Sequence, residues 1–283
     1  MTVRQTKAIF VIALVAFVAA CSFKTVYNRL DYLIPEYIEG VVSLDEVLEE
    51  KLEDRVLVLL QWHRNTQLKQ YASWLNALQG DMTGQLTEQQ LDQRISEMEG
   101  FWSAFFIKLN DEMAYLLPLL DEKQQGELNI YLEESNEEFR EEFIELDNDE
   151  RVEDYAERMI DTYENWIGEL ADEQVLAVEQ SAAQLISSAE LRLQRRIRWQ
   201  LGIRTILARD DTTYDKRERL RAFLAGFEQD NDPVLNETTE INRRIIISLT
   251  VEIAKSMTQD QKAFFISKTN DYIRMFMELA ENR

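Results

Sequence analysis

Apolar positions recur at spacings of three and four along nearly the whole chain, the period of helices that each bury one face. Leu44, Val47, Leu48, Leu52, Val56, Leu59 and Trp62 open the pattern and predict a helix from Leu44 to about Gln79, ended by Gly80 and Gly84. Asp45, Glu46, Glu49 and Glu50 crowd its first turns, where the helix dipole favours negative charge. A second stripe, Leu91, Ile95, Met98, Phe101, Trp102, Phe105, Phe106, Leu109 and Met113, predicts a helix from Thr87 to Pro118. The next runs from Asp121 to the Asp147-Asn148-Asp149 break, and a fourth from Arg151 to about Trp166. The fifth, from about Asp172 to Arg209, is predicted to be the longest. A short helix from about Asp215 to Gln229 follows, then the Asn231-Asp232-Pro233 break, a helix from about Val234 to Ser256, and one from Thr258 onward.

With three prolines, eight glycines and no Asn-Gly or Asp-Gly dipeptide, nothing marks a β-hairpin. The expected fold is all-α: an antiparallel multi-helix bundle of long helices with short connections. Residues 44–283 read as a single elongated helical domain, and residues 21–43 as a membrane-proximal tether with a short helix. Within that tether, Tyr27 to Ile38 is aromatic and is expected to stop at Pro35. Its tyrosines either sit at headgroup level or belong to a short helix folded back onto the body.

Charge narrows the choice of partners. The chain holds 53 acidic and 31 basic residues, a net charge of −22, which repels nucleic-acid phosphates and gives anionic lipid no electrostatic hold. Its distribution is uneven. Glu133, Glu134, Glu137, Glu138, Glu141, Glu142 and Glu145 lead an acidic stretch, and Arg192, Arg195, Arg196, Arg198 and Arg204 lead a basic one. Three readings follow: two solvated faces that pair loosely, a basic helix laid against the acidic one to fix register, or a basic strip that captures acidic partners or unfolded clients.

The first residues set the address. Arg4 and Lys7 precede the apolar run Ala8 to Ala20, and no acid occurs before Asp31. A basic start, a short apolar stretch and a small-residue exit form a secretory signal, here residues 1–20. The run is too short to span a bilayer, which needs about 20 apolar residues. Val18-Ala19-Ala20-Cys21 resembles a bacterial lipobox. That resemblance implies diacylglycerol on the Cys21 thiol, cleavage after Ala20 and acylation of the new amino terminus; the other reading is an ordinary signal peptide with an incidental cysteine. Ser22 in place of Asp resembles the sorting pattern that implies the periplasmic face of the outer membrane. Cys21 is the only cysteine, so no disulfide remains to stabilise the body.

Four helix starts look alike: Leu86-Thr87-Glu88-Gln89-Gln90, Leu120-Asp121-Glu122-Lys123-Gln124, Leu170-Ala171-Asp172-Glu173-Gln174 and Met257-Thr258-Gln259-Asp260-Gln261. Thr87 with Gln90, Asp121 with Gln124 and Thr258 with Gln261 have capping-box spacing, in which the N-cap oxygen and the N3 side chain satisfy each other's amide. Leu86 to Gln90 also resembles the Leu-Thr-x-x-Gln signature of the Spy and CpxP periplasmic stress proteins, which implies a chaperone role without ATP. A broader resemblance runs through Cys21-Ser22, Tyr27-Asn28-Arg29-Leu30-Asp31-Tyr32-Leu33, Trp62-His63-Arg64 and Tyr71-Ala72. It is to an uncharacterised family of proteobacterial helical lipoproteins, and it implies a similar helical build and no mechanism.

Candidate chemistry is sparse. His63 is the only histidine, so neither a multi-histidine zinc site nor a di-iron bundle site can be assembled, and no metal or cofactor is expected. Neither a nucleophile elbow nor a phosphate loop is present. Met98, Phe101, Trp102 and Phe105 on one helix, with Arg192, Arg195 and Arg196 on another, are the candidate partner-binding residues. The alternative for the aromatic stripe is core. The expected function is non-catalytic: a lipoprotein held in the outer membrane by the lipid on Cys21, which binds envelope proteins or unfolded clients, in one form as a holdase. A structural or assembly subunit is the alternative, and a hydrolase using His63 the second alternative.

Overall fold

A computed structural model describes residues 20–228 and 232–281, with side chains from Phe23 onward and that of Glu228 omitted. The leader up to residue 19, the side chain of Cys21 and the Asn231 end of the last break lie outside the described residues. The helices are α1 (Ala20–Tyr27), α2 (Leu30–Glu39), α3 (Glu46–Thr66), α4 (Leu68–Thr83), α5 (Glu88–Leu116), α6 (Glu122–Phe143), α7 (Asn148–Ile167), α8 (Asp172–Ala182), α9 (Ala189–Leu207), α10 (Thr213–Glu228), α11 (Pro233–Ser256) and α12 (Gln259–Glu281). A short 3₁₀ turn, Leu117–Leu119, follows α5. No strand occurs among the described residues, so the fold is all-α as the periodicity predicts.

Three expected boundaries need correction. The helix expected from Leu44 to Gln79 divides at Gln67, with φ −99° and ψ −46°. Side chains take over there: Thr66 donates to the Trp62 carbonyl (2.7 Å) and Gln70 donates to the Thr66 carbonyl (2.6 Å). The helix expected from Asp172 to Arg209 is two, α8 and α9, separated by a non-helical stretch. Asn242 of α11 pins that stretch open, accepting from the Ile186 amide (2.9 Å) and donating to the Ile186 carbonyl (2.7 Å). The longest helix is therefore α5, at 29 residues. Pro35 lies inside α2 rather than ending the tether helix, and it is buried.

The repeated turns are capping boxes. The Gln90 amide donates to Thr87 Oγ1 (3.3 Å) while Gln90 Oε1 accepts from the Thr87 amide (3.0 Å). Asp121 with Gln124 and Thr258 with Gln261 repeat the exchange. Ala171 has no side-chain acceptor, so only the return bond from its amide to Gln174 forms (3.0 Å). Asp147 with Glu150 makes a further box, which starts α7 three residues before the expected Arg151.

These turns also join the fold together. Leu86, Leu170 and Met257, each just before its cap, meet in the largest apolar cluster with Met82, Leu91, Ile167, Val178, Ile253 and Phe265. Leu86 and Leu91 enter it together, as a hydrophobic staple would place them. Beside that cluster Gln174 and Gln261 form a buried amide pair: Gln261 Nε2 donates to Gln174 Oε1 (2.7 Å) and Gln174 Nε2 donates to Gln261 Oε1 (3.2 Å). The pair ties the α7–α8 turn to the α11–α12 turn. A second cluster joins Ala114 of α5 with Ile203 and Leu207 of α9 and Leu220 and Leu224 of α10. A third joins Tyr27 of α1 with Leu68 of α4 and Met275 and Leu279 of α12. The tether is thus folded back onto the body, with Tyr27 buried.

Candidate functional site

Helix α5 carries the predicted aromatic stripe and divides it. Met98, Trp102 and Phe106 stand four residues apart and are 37%, 57% and 40% exposed, with Ile107 beside them at 60%. Four-residue spacing places the three on one face, and Trp102 stacks on Phe106 with ring centres 6.0 Å apart. Phe101 and Phe105 are half-buried instead: Phe101 lies 5.1 Å from the Tyr71 ring, and Phe105 meets His63 edge-on at 6.3 Å. Of the four residues proposed on this helix, two present themselves to solvent and two pack inward. Phe106 and Ile107 extend the exposed face.

Behind Phe105 the lone histidine is held between two phenols. Tyr27 Oη lies 2.9 Å from His63 Nδ1, and Tyr71 Oη lies 3.3 Å from Nε2. A neutral imidazole has one donor and one acceptor nitrogen, so one tyrosine donates to the ring and the other accepts from it. Burial, with a smaller push from the Arg64 charge, lowers the His63 pKa to about 4. Burial likewise raises the Tyr27 hydroxyl to about 12, against the pull of Arg64, and raises that of Tyr71. At neutral pH all three are uncharged. Arg64 sits 5.2 Å over the Tyr27 ring and donates to Asn28 Oδ1 (3.2 Å). This cluster gathers residues from α1, α3, α4 and α5. Sequence reasoning singled out Tyr27, Asn28, His63, Arg64 and Tyr71 within one pattern, but the convergence of the rings is a tertiary fact that spacing does not carry.

The basic helix α9 lies along the acidic α6. Arg196 donates to Ser135 (2.7 Å), Arg204 pairs with Glu133 (3.0 Å), and Asn136 and Gln200 exchange amide bonds (2.7 and 3.1 Å). Arg192 sits over Phe139, and Arg195 donates to the Phe227 carbonyl (3.1 Å) from above its ring. The three candidate arginines are engaged within the fold. Among the described residues no three metal-ligating side chains converge, and no helix is long and apolar enough to cross a membrane.

Comparison with known proteins gives one match, a family of unknown function, DUF6279, whose model covers residues 41–230. No curated protein and no solved structure matches the chain.

Proposed function

We propose, from the premise that this chain belongs to DUF6279, a family of unknown function, that it is a non-catalytic lipoprotein that binds other envelope proteins. In this reading the lipid on Cys21 holds it to the periplasmic face of the outer membrane, and the outer face of α5 meets the partner. The observation that carries the reading is the stripe Met98, Trp102, Phe106 and Ile107, large apolar side chains left 37–60% exposed along one side of α5. Covering a large apolar side chain contributes about 1.5–3 kcal/mol, and exposed tryptophans are over-represented among residues that dominate interfaces. Holdase-type binding of unfolded clients is one form this takes.

The surroundings of His63 favour binding over hydrolysis. Two hydroxyls do converge on the ring, but both are phenols whose pKa burial raises, and the imidazole itself is held neutral. Anchoring rests on the leader pattern and the placement of Cys21. One acyl chain gives only marginal binding, whereas the several chains that a lipobox implies suffice for stable attachment.

The test is site-specific photo-crosslinking in cells, with the reactive group at Trp102 and, as control, at the exposed Leu176 of α8. Discrete adducts from Trp102 and none from Leu176 are expected. Equal yields from both positions, or none from Trp102, refute the reading. Mass spectrometry of the N-terminal peptide tests the anchor: an unmodified Cys21 thiol would sink it.

A further inference from the structure

We propose that the surface apposed to the bilayer is the corner where α1 packs on the last turns of α12, and that the body is held close against the lipid there rather than swung on a slack tether. This placement rests on the lipid anchor at Cys21 proposed above and adds which face of the protein the lipid meets.

The chain enters the fold almost as soon as it leaves the anchor. Helix α1 begins at Ala20, and only Ser22 stands between Cys21 and Phe23. The Phe23 ring meets Phe276 edge-on (6.4 Å) and stacks on Tyr27 (6.1 Å). Lys24 pairs with Glu278 (2.8 Å). One turn further on, Tyr27 is 5% exposed, packs with Leu68, Met275 and Leu279, and brings its hydroxyl 2.9 Å from His63 Nδ1. Rings, an ion pair and a hydrogen bond thus fasten α1 to α3, α4 and α12. A slack tether has a different composition, rich in Gly and Ser. From Cys21 to Leu30 this chain has no glycine and a single serine.

The short span then fixes the orientation. Two residues reach at most about 7 Å even when fully extended. Acyl chains on the Cys21 sulfur must lie in the hydrocarbon, so Phe23 stays close to the headgroup layer, and Phe276 and Glu278 stay there with it. Met277, 38% exposed, belongs to the same turn of α12. Charge does not make this contact. Lys24 and Arg274 are taken up by Glu278 and Asp271, and a net charge of −22 gives anionic headgroups no hold. What the corner meets is therefore the bilayer that carries the anchor, kept near by the length of the link.

The test uses the mature acylated protein in phosphatidylcholine vesicles, some of whose headgroups carry a nitroxide quencher. Acylation occupies the only native thiol, so Met277→Cys offers one site for a fluorophore. Its emission should fall about twofold or more with the quencher present, and recover when about twenty Gly and Ser residues, with a mean span of about 25 Å, are inserted between Ser22 and Phe23. The insertion leaves α1 and its contacts whole, so it should fold as wild type does. The placement is overturned if position 277 is unquenched in protein whose Cys21 is acylated by mass spectrometry; the anchor then stands and only its taut geometry falls. It is overturned equally if quenching survives the insertion, which would mean a body that adheres to lipid by itself. A bare Cys21 thiol removes the anchor and this placement together.

Discussion

Acidification tests the tyrosine-flanked histidine directly. In the unfolded chain the His63 imidazole takes up its proton near the ordinary value of 6.5, whereas in the fold it does so only near 4. Between those values the unfolded state binds more protons, so stability is complete above about pH 6.5 and drains away as the pH falls towards about 4. At 1.36 kcal/mol per pH unit, the full gap corresponds to about 3 kcal/mol, a large share of the 5–15 kcal/mol typical of a domain. The structural reason is simple. A protonated ring has two donors, so whichever tyrosine donates to the neutral ring must turn its hydroxyl away, and the new charge is buried beside Arg64. Urea denaturation followed by circular dichroism, at steps from pH 7 to 4, measures the loss. The 53 acids titrate over part of the same range, so the informative quantity is wild type minus His63→Gln, which has nothing to titrate at that position. Wild type should lose about 3 kcal/mol more than the variant across the window. Parallel pH curves for the two proteins would show that the ring is not held neutral by this cluster.

Other outcomes follow from packing. Gln261→Leu should cost about 1–3 kcal/mol because Gln174 loses its amide partner, and Gln174→Leu made in addition should cost less than the sum of the two single changes; additivity in urea unfolding would argue against the pair. Thr87→Ala should cost about 1 kcal/mol by loss of the cap, measurable in the same assay. Gly202→Ala sets propensity against space: the new Cβ would come within 2.1 Å of the Phe223 ring, so a net loss of about 1–3 kcal/mol is expected. Gly126→Ala, with nothing within 4 Å, should instead gain up to about 1 kcal/mol; thermal unfolding of both variants checks the contrast.

Where long stripes of apolar residues repeat, the helices stand close to where the spacing puts them, because burying one face needs no information from elsewhere. The capping turns were readable for the same reason, since cap and partner lie three residues apart. The break between α8 and α9 was not, because the group that holds it open is Asn242, 56 residues from Ile186. Nor was the division at Gln67, where the side chains of Thr66 and Gln70 compete for backbone carbonyls in a stretch whose apolar period never falters. Of the candidate site, the aromatic stripe was legible as a stripe. Spacing could not say that Trp102 faces out while Phe105 faces His63, since which side of an apolar helix stays wet depends on what packs around it.

The seat of α1 bears on the order in which the molecule is completed. Phe23 meets Phe276 (6.4 Å), and Lys24 pairs with Glu278 (2.8 Å), 254 residues further on. A chain made from its front end therefore offers α1 only part of its seat, His63 of α3 and Leu68 of α4, until α12 is present. Closing so wide a loop is not prohibitive, since its entropic cost grows only with the logarithm of length. The sequence of events is what changes: the seat of the leading segment is completed only when the last helix arrives. Load on the leading end would then be divided between the final helix and the α3–α4 pair, since Tyr27 touches both.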